Sequence, residues 1–244
     1  MSIAGRLVDR VLALHHVTVT EVELLRPRIR RVRLGGPEIT DLACKPGQHI
    51  RVRVMNENVM SRDMLRTYTI VEINHEEQWL DLLIYQPSDE STPGMDWSRL
   101  VAPGDPVTFM GPMGRFVVQP DAPYHLVIGE ETAQMAFAAI LASVAADTHV
   151  AGVIEVMGLA ERLDIARGDE IAWTYRGDAP ASSSPTLLEA VRALELPEDP
   201  GVAYIAGEAM AVAAVRSHLV SERGWPRRTV LTKPFWAPGR KGLD

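Results

Sequence analysis

The sequence predicts a β-barrel plus an α/β unit: an antiparallel barrel over residues 1–120, then a doubly wound parallel sheet over residues 121–244. Three observations predict it. From His16 to Val118, short alternating runs are separated by Gly/Pro turns with almost no helical period, the pattern of a small antiparallel barrel. After Asp121, apolar runs alternate with helical stretches, which requires parallel strands covered on both faces. Twice, at Gly129 and Gly207, an apolar strand enters a single glycine and then a helix, so a ligand-binding edge is expected at the carboxyl ends of those strands.

Taken in order, Ile3, Leu7, Val11 and Leu14 recur at helical spacing and predict a short amphipathic helix over residues 3–14. Strands are expected at Val17–Leu25, Ile29–Leu34, His49–Met55, Arg66–Ile73, Trp79–Tyr85, Pro106–Met110 and Arg115–Val118. Alternation is clearest where Ile50, Val52 and Val54 interleave with Arg51 and Arg53, one set for a core and one for water. Gly35-Gly36-Pro37, Pro46-Gly47, Pro93-Gly94, Pro103-Gly104-Asp105 and Gly111-Pro112 supply the turns. In the second unit, strands are expected at Tyr124–Ile128, His149–Met157, Glu170–Tyr175, Val202–Ala206 and Thr229–Leu231. Helices are expected at Glu130–Val144, Leu187–Leu194 and Glu208–Arg223.

At 244 residues, with 46% hydrophobic side chains, the chain is long enough for two compact domains. The net charge of −7 arises almost entirely in the second half; the first is nearly balanced. Such a surface lacks the basic excess of a general nucleic-acid binder, so no nucleic-acid partner is expected. Cys44, the single cysteine, excludes an internal disulfide and a multi-thiolate cluster, and points to the cytoplasm. None of the seven histidines has ligand-pair spacing, so no metal site is expected. Val11–Leu14 is too short for a signal-peptide core, and no run approaches the roughly 20 apolar residues of a membrane span.

The chemistry centres on Met64–Ile70. Arg66 and Tyr68 share one strand face, and with Thr67 and Thr69 they gather a fixed cation, an aromatic ring and hydroxyls. That set suits a phosphate and a planar ring, although the four residues taken alone read first as an ordinary strand, since so short a pattern occurs by chance. Small residues at Ser91-Thr92-Pro93-Gly94-Met95 offer a second place for backbone to approach an anion, or a plain turn. Gly129-Glu130-Glu131-Thr132-Ala133 and Gly207-Glu208 are either plain strand-to-helix turns or places where helix N-terminal amides stay open to a nucleotide phosphate or ribose. The segment Thr232–Lys241 holds Phe235 and Trp236 among Lys233, Arg240 and Lys241, a cationic surface for an anionic substrate or a solvated tail.

With these motifs in their order, the chain resembles the siderophore-interacting protein family, the flavin-dependent ferric-siderophore reductases, from about Val17 to Gly239. The carriers are Arg66-Thr67-Tyr68-Thr69, Pro103-Gly104-Asp105, Gly111-Pro112-Met113-Gly114, Gly129–Ala133, Ala206–Ala209 with Val215-Arg216 and His218-Leu219, and Phe235-Trp236. The resemblance implies a flavin-binding barrel followed by a nicotinamide-nucleotide domain of the ferredoxin-reductase type. It implies FAD held by Arg66 at its pyrophosphate, Tyr68 against the isoalloxazine, Thr67 beside them and Thr69 near the reactive nitrogen, with Thr92, Gly94 and Met95 as a second phosphate segment. Thr132, Ala133, Gly207 and Glu208 would face NADPH or NADH, and Trp236 would take the C-terminal aromatic position, a catalytic place with Thr69. Lys233, Arg240, Lys241, Arg51 and Arg53 would draw in a ferric siderophore or other ferric chelate. A ferredoxin is a further candidate donor. Two other readings stand beside this one: a general flavin oxidoreductase serving a protein or quinone, and a non-catalytic siderophore or flavin carrier.

Overall fold

A computed structural model describes residues 14–54, 65–87 and 92–240, and divides the chain after Arg115 into two compact units. The expected helix over residues 3–14 lies outside the described residues, apart from Leu14, which begins the first strand.

The first unit is a closed antiparallel barrel. Its strands are β1 (Leu14–Arg26), β2 (Ile29–Gly35), β3 (His49–Arg53), β4 (Leu65–Asn74), β5 (Trp79–Tyr85) and β6 (Pro106–Met113), in the order β1-β2-β5-β4-β3-β6. Closure leaves no unpaired sheet edge. The alternating residues close over one core: Val32, Leu34, Ile50, Val52, Leu80 and Leu82 are all fully buried. Each such side chain contributes about 1.5–3 kcal/mol relative to exposure.

Where turns were expected, Pro93–Leu100 forms a helix, α1, with Thr92 as its N-cap: the hydroxyl accepts from Met95 N at 3.3 Å. Its other end is gripped by Arg30, whose Nη1 donates to Ser98 O and Arg99 O at 2.9 Å each. Gln86 Nε2 donates to Ser98 Oγ at 2.7 Å, so the C-terminal end of α1 is fixed against the barrel by two side chains. The strand expected at Arg115–Val118 does not form; Phe116 is instead buried, edge-on to Tyr204 with centroids 5.8 Å apart.

The second unit is a five-stranded sheet ordered β11-β10-β7-β8-β9 with every pairing parallel. The strands are β7 (Tyr124–Glu130), β8 (His149–Val156), β9 (Ala172–Tyr175), β10 (Val202–Glu208) and β11 (Val230–Trp236). Helices α2 (Gln134–Ser143), α3 (Thr186–Arg192) and α4 (Ala209–Ser217) connect and cover them. β7, in the middle, is buried along its whole length, as a strand covered on both faces must be. β11 runs to Trp236, well past the expected Leu231; as an edge strand it tolerates Pro234. None of the helices among the described residues is long and apolar enough to cross a membrane.

Candidate functional site

In the barrel unit the register sorts the candidate residues onto two faces. Tyr68 pairs with Ile50 and Arg66 with Val52, whereas Thr67 pairs with Arg51 and Thr69 with His49. Directly paired residues share a face, so Arg66 and Tyr68 lie on the face of the buried Ile50 and Val52. The side chains of Thr67 and Thr69 lie on the other face, with Arg51 and His49. Arg66 and Tyr68 therefore share one face, as expected from strand alternation, and the Thr69 side chain lies on the opposite one.

Arg66 and Tyr68 both meet α1. Tyr68 Oη donates to Gly94 O at 3.3 Å, and its ring stacks on Trp97 with centroids 5.6 Å apart. Burial raises the phenol's pKa well above its ordinary value, with the Arg66 cation pulling the other way, so the hydroxyl stays a hydrogen-bond donor. The Arg66 arm crosses Gly94: a Cβ at that position would come within 2.9 Å of Arg66 Cγ. Arg66 Nη1 donates to Leu65 O at 2.9 Å. A guanidinium is thus held over the first turn of a helix, whose N-terminus carries partial positive charge. Two positive groups brought together favour an anion at their junction, and glycine alone leaves room for the arrangement.

His49 was not singled out by the sequence reading. It is buried, and its imidazole fills the space beside Gly114, where a Cβ would meet Cε1 at 2.7 Å. Gly114 itself has φ +105°, a conformation that favours glycine. Arg53, at the end of β3, is exposed, and Arg51 is half-buried.

In the sheet unit, the carboxyl ends of the strands gather acidic side chains. Glu130, Glu131, Glu155, Glu161 and Glu208 are all buried. The amides of the two strand-to-helix turns are occupied. Glu130 Oε2 accepts from Thr132 N at 3.0 Å, and Thr132 Oγ1 also donates to Glu130. Glu208 Oε2 accepts from Met210 N at 2.8 Å and Ala211 N at 2.9 Å, capping α4. Trp236 Nε1 donates to Glu130 Oε1 at 3.1 Å, and Gly207, at φ +123°, leaves room for that carboxyl. Burial, and then the neighbouring Glu131, push the Glu130 carboxyl up to about 7, against the hydrogen bonds from Thr132 and Trp236. Arg176 offsets the acidity: it pairs with Glu131 and lies 3.7 Å from Glu155 Oε2.

Of the expected cationic residues, Lys233 is half-buried on β11 opposite Ala206, and Arg240 is exposed. Lys241 lies outside the described residues. Ala133 is buried at the end of the 3-10 turn Glu131–Ala133 that leads into α2. Among the described residues, no group of three or more His, Cys, Asp or Glu side chains could hold a metal ion.

A profile for the siderophore-interacting FAD-binding domain matches residues 56–116, the stretch that carries Arg66, Tyr68 and Gly94. A siderophore-interacting protein profile matches residues 122–239. The chain belongs to the siderophore-interacting protein family. FAD is accordingly the cofactor of the barrel unit, and the Arg66–Gly94 cradle fits an anionic group of that cofactor. A siderophore utilization protein from T. fusca superposes with a TM-score of 0.81 at 27% identity, covering 95% of each chain. The ferric vibriobactin reductase ViuB of Vibrio cholerae is 27% identical over 179 residues, 72% of this chain and 65% of the relative. The mycobactin import ATP-binding/permease protein IrtA of Mycolicibacterium smegmatis is 26% identical over 235 residues, 93% of this chain. This siderophore-interacting chain spans 26% of the length of that permease.

Proposed function

We propose that the protein is an FAD-dependent reductase of ferric siderophores, with a nicotinamide nucleotide as electron source, acting in the cytoplasm. The observation that carries the reading is the Arg66 guanidinium laid over Gly94 at the capped N-terminus of α1, in a unit of the siderophore-interacting FAD-binding type. Bound FAD supplies the conversion between two-electron and one-electron transfer. The protein's own residues bind and orient it. Arg66 and the first turn of α1 hold phosphate charge, Thr92 keeps that turn in place, and the Tyr68–Trp97 stack gives an apolar wall. Oxygen ligands hold ferric iron far better than the softer ferrous ion, so adding one electron releases the metal without any protein ligand to iron. Lys233, Arg240 and Lys241 in the second unit give positive charge that attracts an anionic chelate, and Arg51 and Arg53 carry charge of the same sign in the barrel unit.

The similarity to a vibriobactin reductase supports this reading over a general flavin oxidoreductase and over a carrier without turnover. The test is anaerobic: the flavin is reduced, then mixed separately with ferric siderophores and with quinones. Faster reoxidation by the ferric chelates is the expected result. Preferential reoxidation by quinone favours the general oxidoreductase, and a flavin that NADH, NADPH and reduced ferredoxin all fail to bleach favours the carrier.

A further inference from the structure

The parallel sheet has the topology on which nucleotide phosphates settle at helix N-termini, beyond the carboxyl ends of the strands. Its own residues oppose that use. At the end of β7 the turn reads Gly129-Glu130-Glu131 where a phosphate-binding turn would continue in small residues, and at the end of β10 a single glycine, Gly207, is followed by Glu208. Both acids fold back onto the amides that a phosphate would use: Glu130 onto Thr132 N at 3.0 Å, Glu208 onto Met210 N at 2.8 Å and Ala211 N at 2.9 Å. Neither carboxyl is at the surface, with Glu130 1% and Glu208 0% exposed. The second oxygen of Glu208, Oε1, is buried without a hydrogen-bond partner, so an incoming anion would meet a carboxyl oxygen there and no donor. The Gly207 position leaves no slack, because a Cβ there would come within 2.6 Å of Glu130 Oε1. Arg176, a cation that could answer a phosphate, is committed to Glu131 and Glu155.

We infer that Glu130 and Glu208 are specificity residues that shut phosphate groups out of the turns after β7 and β10, Glu130 at the 3-10 turn that leads into α2 and Glu208 at the N-terminus of α4, so that donors are discriminated against in order of their phosphate content. The inference rests on the reading that a nicotinamide nucleotide is the electron source, but its core, phosphate exclusion, concerns this chain alone. A pyrophosphate gains no amide hydrogen bonds here, and the additional 2'-phosphate of NADPH adds charge to an already acidic rim. Dihydronicotinamide riboside should therefore serve about as well as NADH, and NADPH should serve worse.

The test uses the FAD-loaded protein and a binding readout alongside turnover. Calorimetric titration compares adenosine, ADP-ribose and 2'-phospho-ADP-ribose, and anaerobic flavin bleaching compares dihydronicotinamide riboside, NADH and NADPH. The expected result is that ADP-ribose binds no tighter than adenosine, that 2'-phospho-ADP-ribose binds more weakly still, and that NADPH bleaches at least about tenfold less efficiently than NADH. Glu208→Ser keeps a short helix cap while removing the charge, and should strengthen ADP-ribose binding by about tenfold. ADP-ribose binding about tenfold or more tightly than adenosine to the unaltered protein overturns the inference without need of any variant. Failure of all three donors to bleach the flavin defeats the donor reading instead, while the adenosine to ADP-ribose comparison still decides phosphate exclusion.

Discussion

The indole Nε1–H of Trp236 donates to Oε1 of Glu130 at 3.1 Å, joining the last residue of β11 to the last residue of β7 across the intervening β10. Because that carboxyl titrates at about 7, the bond should report its protonation. Part of the intrinsic fluorescence should change with a midpoint near pH 7, and the change should be absent in Trp236→Phe and in Glu130→Gln. A pH-independent Trp236 signal would contradict the placement.

The same carboxyl sets a stability trend. Its pKa rises from 4.5 to about 7 in the fold, through burial first and the charge of Glu131 second. Between those values the folded chain binds more protons than the unfolded chain, so this group's contribution is full below the unfolded value and is lost as pH rises through the folded one. Arg176, Thr132 and Trp236 face it from the other elements and limit the effect. Thermal melts should show Tm falling between pH 5 and pH 7, with a smaller fall in Glu130→Gln.

Arg176 holds the acidic rim together. Its side chain is 5% exposed and those of Glu131 and Glu155 are 4% and 1% exposed, so removing the cation leaves buried carboxylates without a counter-charge. Arg176→Met should cost about 3–5 kcal/mol of stability by denaturant unfolding. Adding Glu131→Gln and Glu155→Gln should recover much of that loss.

In the barrel, the proposed cofactor cradle depends on one absent methyl group. Gly94→Ala would push against Arg66 Cγ and displace the guanidinium from the α1 N-terminus. FAD retention should fall, and Arg66→Ala, which removes a charged hydrogen-bond donor worth about 1.5–3 kcal/mol, should weaken FAD by about tenfold or more. Arg66→Ala and Tyr68→Ala should both yield colourless protein; circular dichroism would confirm that the barrel remains.

Much of the fold was legible because period-two alternation in the barrel and strand–glycine–helix repeats in the sheet are local patterns, each written in a few adjacent residues. Helix α1 was missed because Pro93-Gly94 reads as a turn, although Thr92 as N-cap and Pro93 in the first turn are also the opening of a helix. Arg66 and Tyr68 were legible as a pair because two residues of strand put them on one face; their meeting with Gly94 and Trp97 depends on where α1 packs, which no local pattern carries. The filled amides at Glu130 and Glu208 could be read as open, since glutamate is not a usual N-cap and only the fold shows its side chain turned back. Arg176 gave no signal, as its partner Glu131 lies 45 residues away in the chain.

Cationic residues near the C-terminus should act on substrate capture. Replacing Lys233, Arg240 and Lys241 together with Gln should raise KM for anionic ferric chelates, with little change in kcat and a flatter dependence on salt. Unchanged KM would remove these three from the substrate site.

The most direct measurement of the central claim follows the reduced flavin during anaerobic mixing with a ferric siderophore in the presence of a ferrous-specific chromogenic chelator. Fully reduced FAD carries two electrons and each ferric ion takes one, so the flavin bands should return while about two ferrous ions are trapped per flavin. Flavin bands that stay bleached, or that return with no ferrous ion trapped, would contradict ferric-siderophore reduction as the function of this protein.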